Sequence, residues 1–248
     1  MSNPRVVVIV QARMGSTRLP GKVLASIRGE PMIVRQLERL LRCRHVDVLV
    51  VATTDLAGDD PVVDAVGRLP GVGVFRGSEE DVLARYVGAA RATGAEVIVR
   101  ITADCPLIEP TVVDRCVLTM HENPDAEYVS NVHRRTYPRG LDTEVVRAEA
   151  LETAYTEATH PFEREHVTPF IWRRPERFVM VDVTAADDHS HLRWTVDTPQ
   201  DLGLIERVYE ALHPTEPDFC YERVLRLFRE HPELARINAD VVQKPVAG

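Results

Sequence analysis

Short runs of β-branched apolar residues alternate with amphipathic stretches over the first half of the chain, and this alternation admits few architectures. Val6 to Val10 reads as a buried strand, Met32 to Leu41 as a helix, Val46 to Val51 as a strand, Pro61 to Leu69 as a helix and Val72 to Phe75 as a strand. Glu79 to Ala92 continues as a helix, Val97 to Ile101 as a strand, and Pro110 to Met120 as a helix with proline in its first turn. Repeated βα units predict an α/β fold: a mostly parallel sheet with helices on both faces and ligands at the carboxyl ends of its strands. The order loosens between Asp125 and Ser190. There Tyr128 to Val132, Leu141 to Val146 and Phe178 to Val183 read as strands, and Ala148 to Thr159 and Phe162 to Arg173 as helices. A strand from Leu192 to Val196, a proline-led helix from Pro199 to about Leu212 and a last helix around Tyr221 to Glu230 restore it. A length of 248 residues with 44% hydrophobic content suits one domain with a full core.

The loop after the first strand concentrates the chemistry. Gln11-Ala12-Arg13-Met14-Gly15-Ser16-Thr17-Arg18-Leu19-Pro20-Gly21-Lys22 carries three cations, two hydroxyls and two glycines. Residues 1–29 hold five basic residues and no acid, whereas the whole chain is formally −8, so the remainder stands at −13. A cationic loop opening from a strand in an acidic protein is where a polyanion such as a nucleoside triphosphate would be held. Of the 30 basic residues only Lys22 and Lys244 are lysines. A compact ammonium kept inside an arginine-biased chain suggests a geometric need that a planar guanidinium does not meet, with chance as the alternative. The loop is not a Walker A motif: five residues separate Gly15 from Gly21, and Val23 follows the lysine. Gly71-Val72-Gly73-Val74-Phe75-Arg76-Gly77 fails as a dinucleotide fingerprint because its third glycine comes one position late.

Several classes drop out. The first apolar run is too short for a signal peptide, no apolar run is long enough to span a membrane, and the acidic balance argues against general nucleic-acid binding. Cys43, Cys105, Cys116 and Cys220 show no CxxC spacing, which points to reduced thiols in a cytoplasm. His160, His166, His189 and His191 form no recognisable zinc pattern, and neither a GxSxG elbow nor a paired cysteine nucleophile is present.

Asp104 follows the strand Val97 to Ile101, and Asp197 follows Leu192 to Val196 in a similar setting. Two carboxylates at strand ends facing a phosphate loop are the hard oxygen ligands Mg²⁺ requires, although each also precedes a proline-containing helix start and would serve as an N-cap. Arg76 and Ser78 follow another strand and are placed to touch base or ribose, as are Arg100 and Thr102; Ser78 as a helix cap is the alternative. Asp142 and Glu144 alternate on an expected strand so that both point to one face. With Arg139 nearby they offer groups for an acceptor's hydroxyls and acid, or simply a solvated strand edge.

Taken in order, QARMGSTRLPGK, RGSEEDVLARY, RITADCPLIEP, RGLDTEV, FEREHVTPFI and LRWTVDTPQDL resemble the nucleotidyltransferases that activate acidic sugars. These are the acylneuraminate and ketodeoxyoctonate cytidylyltransferases, and the likeness is strongest to their spore-coat polysaccharide branch. The resemblance implies a single Rossmann-like domain, Mg²⁺-dependent transfer of CMP from CTP with release of pyrophosphate, and a homodimer. It implies triphosphate binding by Arg13, Ser16, Arg18 and Lys22, with Lys22 and Arg13 as the catalytic charges, and metal binding by Asp104 and Asp197. Gln11, Ala12, Gly15, Arg76, Ser78, Arg100 and Thr102 complete the expected nucleotide site; Arg139, Asp142 and Glu144 form the expected acceptor side, within a variable segment of about residues 125–190. A nucleotide-sugar-dependent glycosyltransferase and a catalytically silent nucleotide-binding protein are the rival readings. The acceptor stays open, from ulosonic acids to phosphorylated or phosphonate acids.

Overall fold

A computed structural model describes residues 4–243, so Lys244 lies outside the described residues. The apolar runs become a seven-stranded sheet of order β5-β4-β1-β6-β8-β7-β9. These strands are β1 Val6–Gln11, β4 Val48–Thr54, β5 Val72–Gly77, β6 Val97–Thr102, β7 Tyr128–Ser130, β8 Glu144–Arg147 and β9 Met180–Asp182. A small hairpin, β2 Ser26–Ile27 with β3 Glu30–Pro31, lies apart. The four amino-terminal strands of the sheet run parallel, and β8 joins β6 and β7 antiparallel.

Both faces of the central strands are apolar, which forces helices onto both sides. Val6, Val8 and Val10 of β1 face one core with Val97, Val99 and Ile101 of β6. Helices α1 Met32–Leu40, α2 Asp60–Val66, α4 Pro110–Glu122, α8 Pro199–Leu212 and α9 Tyr221–Glu230 cover that side. Val7, Ile9 and Ile98 face the other core, against α3 Val82–Thr93, α5 Ala148–Glu157 and α7 Pro169–Trp172. The chain leaves β1 towards β4 on one side and later fills β6 on the other, so the crevice between β1 and β6 is where strand order reverses and where a ligand fits in such sheets. No helix is long and apolar enough to cross a membrane among the described residues.

Four local expectations change. The expected helix Phe162 to Arg173 is two short helices, α6 Pro161–His166 and α7. Pro169 resists continuation of a helix through Thr168, and Val167 adopts φ 75°, ψ −59° while the Thr168 amide donates to the His166 carbonyl at 2.9 Å, a tight γ-turn. The segment Leu192 to Val196 is extended without forming a strand. Its amides serve loops: Trp194 donates to the Arg139 carbonyl at 2.7 Å and Val196 to that of Asp104 at 2.8 Å. The helix expected from Glu79 begins at Val82, because Asp81, and not Ser78, accepts the Ala84 amide as its cap. The strand expected to reach Val132 stops at Ser130, where the Asn131 side chain takes the backbone groups of Leu141 and Thr143.

Gly140 joins the two halves. Its φ of 105° suits glycine, and a Cβ there would lie 2.6 Å from the Trp194 carbonyl carbon and 2.7 Å from the Thr195 nitrogen. Backbone cannot yield as a side-chain tip can. Gly140→Ala is expected to cost about 2–4 kcal/mol of stability, read from urea unfolding midpoints; an unchanged midpoint would refute this close packing.

Candidate active site

At the carboxyl end of β1 the loop turns back on itself, with the Gly21 amide on the Met14 carbonyl and the Lys22 amide on that of Leu19. Gly21 adopts φ 69°, and Asp59 anchors the near side by accepting the Met14 amide at 2.7 Å. The amides of Gly15, Ser16, Thr17 and Arg18 have no hydrogen-bond acceptor among the described residues, while Ser16 Oγ accepts the Leu19 amide at 3.4 Å. Consecutive amides without acceptors, beside cations, are donors that an anion could take. Arg13 is exposed, with no ion pair among the described residues. Gln11 ends β1 with its side-chain oxygen buried and unpartnered, and Ala12 is buried, its amide on the Ala52 carbonyl.

Lys22 leaves this loop and enters a cluster of charge. Its Nζ lies 2.8 Å from Asp197 Oδ1, 3.2 Å from Asp104 Oδ2 and 2.8 Å from the Val196 carbonyl oxygen. Side-chain exposures of 13% for Lys22, 25% for Asp104 and 13% for Asp197 leave little water among them. Burial works against the ammonium, yet the two carboxylates overcompensate and its pKa is raised. Burial likewise opposes the Asp197 carboxylate, and Lys22, Arg193 and Arg18 reverse the sign, so its pKa is lowered. Arg18 Nη2 lies 2.9 Å and Arg193 Nη2 2.8 Å from Asp197 Oδ2. Arg193 also donates to both oxygens of Asp201, which is fully buried and forms a capping box with Thr198 at the start of α8.

Neither Asp104 nor Asp197 caps a helix, since Glu109 caps α4 and Thr198 caps α8. Thr102 Oγ1 donates to Asp104 Oδ1 at 2.6 Å and fixes that carboxylate. Two carboxylates and a carbonyl thus converge on one cationic position. That is an all-oxygen donor set of the kind a hard divalent cation takes with phosphate oxygens and water.

The other expected residues divide. Arg76 donates to the carbonyls of Thr54 and Leu56 and pairs with Asp60, so it braces the loop after β4. Ser78 Oγ accepts the Asp81 amide at 3.0 Å. Arg100, Thr102, Arg139, Asp142 and Glu144 meet around one cavity of about 410 Å³. Within it Glu144 is buried and committed: Arg100 donates to one oxygen, and Tyr128 and Thr168 donate to the other. Asp142 lies before β8 and pairs bidentately with Arg135 at 2.6 and 2.9 Å. Arg139 also lines the cavity, and its side chain has no ion pair among the described residues; burial and neighbouring Arg135 lower its pKa. His166 lines the cavity as well, its pKa lowered by burial and by Arg100. His160 caps α6 and His189 pairs with Tyr221, so both have structural partners.

Sequence reasoning assigned no part to Arg193, Arg135, Tyr128, Thr168 or Gln243. For Arg193 a signal existed: extended-chain alternation places Arg193, Thr195 and Asp197 on one side. The partners of Glu144 come from separate elements and leave no local trace.

Comparison with known proteins gives the family. The cytidylyltransferase family model matches residues 7–230. The spore coat polysaccharide biosynthesis protein SpsF of Bacillus subtilis is 32% identical over 93% of this chain and 96% of its own. A cytidylyltransferase from Leptospira borgpetersenii superposes with TM-score 0.89 at 32% identity, over 94% of this chain and 97% of that one. CMP:2-keto-3-deoxy-manno-octonic acid synthetase complexed with CTP superposes with TM-score 0.64 at 22% identity, over 84% and 99%, a likeness of fold.

Two expectations follow. Glu144→Gln strips the anion from buried Arg100 and is expected to cost about 2–4 kcal/mol, while Asp142→Asn, on a more exposed pair, costs about 1 kcal/mol or less; urea unfolding of both separates them. Asp59, Asp197 and Asp201 all have lowered pKa values. Their stabilisation is complete above the unfolded aspartate value of about 3.9 and is lost as pH falls through their lower folded values. Thermal midpoints should therefore fall steeply below about pH 4, and less steeply in Arg193→Gln, which lacks the cation that Asp197 and Asp201 share.

Proposed function

The chain belongs to the cytidylyltransferase family, and on that premise we propose that it transfers CMP from CTP to an acidic sugar or related acidic acceptor, releasing pyrophosphate. The observation that carries this reading is Lys22 held between Asp104 and Asp197 beside a loop of free amides. The names of the B. subtilis relative and of the CTP-bound structural neighbour point the same way.

In the proposed reaction the free amides, Ser16 and exposed Arg13 receive the triphosphate. Lys22 and Arg18, on flexible stems, exchange their carboxylates for phosphate oxygens. Arg193 stays with Asp197 because Asp201 holds it from behind. In the free protein Lys22, Arg18 and Arg193 match Asp104, Asp197 and Asp201 one for one, so moving two cations to the nucleotide leaves carboxylates uncompensated. Asp104 and Asp197 are the residues that would hold Mg²⁺, which when bound neutralises both those carboxylates and the phosphates. An acceptor oxygen then attacks the α-phosphorus in line and pyrophosphate departs. Nucleotidyl transfer of this kind depends on positioning and preorganised charge. The acceptor would occupy the 410 Å³ cavity, with Arg139 as the guanidinium open to its acid.

A pyrophosphate-release screen of the four nucleoside triphosphates against ulosonic acids, sugar phosphates and phosphonates tests the reading. CTP is expected to react with an acidic acceptor and only with divalent metal. CTP binding without pyrophosphate from any acceptor would favour a silent binding protein, and turnover of a nucleotide-sugar a glycosyltransferase. Asp104→Asn and Asp197→Asn should each raise the Mg²⁺ concentration at half-maximal rate. Lys22→Arg should lower kcat about a hundredfold, since a planar fork does not reproduce a compact ammonium.

A further inference from the structure

The cavity assigned to the acceptor has a neighbour of about 340 Å³, lined by Ser190, His191, Arg193, Phe228 and the segment after α9. Two side chains, Arg139 and Gln243, line both spaces and stand between them. Gln243 ends a stretch beginning at Asn238 that is fastened to the charge cluster. Asn238 is buried and donates to the Arg193 carbonyl at 3.0 Å and to Asp201 Oδ1 at 2.8 Å. Gln243 Oε1 accepts from Arg193 Nη1. The family model stops at residue 230, so Gln243, one half of this divider, lies outside the part of the chain that the family pattern describes, whereas Arg139 lies within it.

We propose that Gln243 limits the size of acceptor the site admits, by closing the first cavity off from the second. The inference rests on the first cavity being the acceptor site. The second space offers Ser190, His191 and the shared Arg139, groups that suit the hydroxyls of a longer polyhydroxylated chain. Removing the Gln243 side chain takes away one half of the divider and leaves Arg193 on Asp197 and Asp201, so the nucleotide side keeps its geometry. A purely structural role for Gln243 would instead weaken CTP binding and the use of every acceptor together.

The test measures kcat/KM with CTP for a series of 2-keto-3-deoxy acids of increasing chain length, in the full chain and in Gln243→Ala. The ratio of longest to shortest acid is expected to rise about tenfold or more, with CTP affinity by titration calorimetry held within about twofold. Gln243→Glu, which keeps the reach and the Arg193 contact, should keep the wild-type ratio. An unchanged ratio in Gln243→Ala, or a change matched by an equal loss of CTP affinity, overturns the proposal. If the wild-type protein turns over no member of the series, a size limit on these acids has nothing to act on and the proposal falls, while the wider acceptor reading is decided by the sugar phosphates and phosphonates of the screen.

Discussion

Lys22 carries a full charge where water scarcely reaches, and this is sustained only because two carboxylates and a carbonyl face it. The ammonium and its partners come from three different parts of the chain. The ammonium belongs to the loop after β1, Asp104 to the turn after β6, and Val196 with Asp197 to the segment before α8. An unpaired charge in this place would be expensive, so the three parts hold one another in register. Arg193 extends the same logic outward. It joins Asp197 to the capping box of α8 and, through Gln243, to the end of the described chain.

The half proposed to receive the acceptor is built on a different principle. Here the cations are already neutralised, Arg100 by Glu144 and Arg135 by Asp142, which leaves Arg139 as the cavity-lining arginine without an ion pair among the described residues. Glu144 works as an internal anchor with three donors, and the γ-turn at Val167 brings one of them, Thr168, into place. A β-branched residue at positive φ persists where its surroundings fix it, and Val167 is almost fully buried. Few side-chain groups around this cavity are therefore left free for a ligand.

The charge cluster around Lys22 was legible in the sequence because its signals are local. Strand periodicity located β1 and β6, and the glycines, cations and aspartates fell at their carboxyl ends within a few residues. What the sequence left open, whether Asp104 and Asp197 were helix caps, is closed by Glu109 and Thr198, which cap α4 and α8. The acceptor half was less legible. Asp142 and Glu144, expected on one face of a strand, both line one cavity although Asp142 lies before β8, and their partners, Arg135, Tyr128, Thr168 and Arg100, depend on tertiary pairing that no spacing encodes. Arg76 has partners the sequence did not reveal: a cation at a strand end, it pairs with the adjoining loop.

The 175-residue separation of Lys22 and Asp197 has a consequence in time. A chain emerging from the ribosome presents β1, β4, β5 and β6 as consecutive units, so the phosphate loop and Asp104 take shape early. Asp197 and Arg193 arrive only after the whole intervening segment has been made. Until then Lys22 has Asp104 alone of its two carboxylate partners, and Arg18 lacks the one it has in the finished fold. The charge of the loop is therefore balanced only once the segment that carries Asp197 has been made, which ties completion of this cluster to the late part of synthesis.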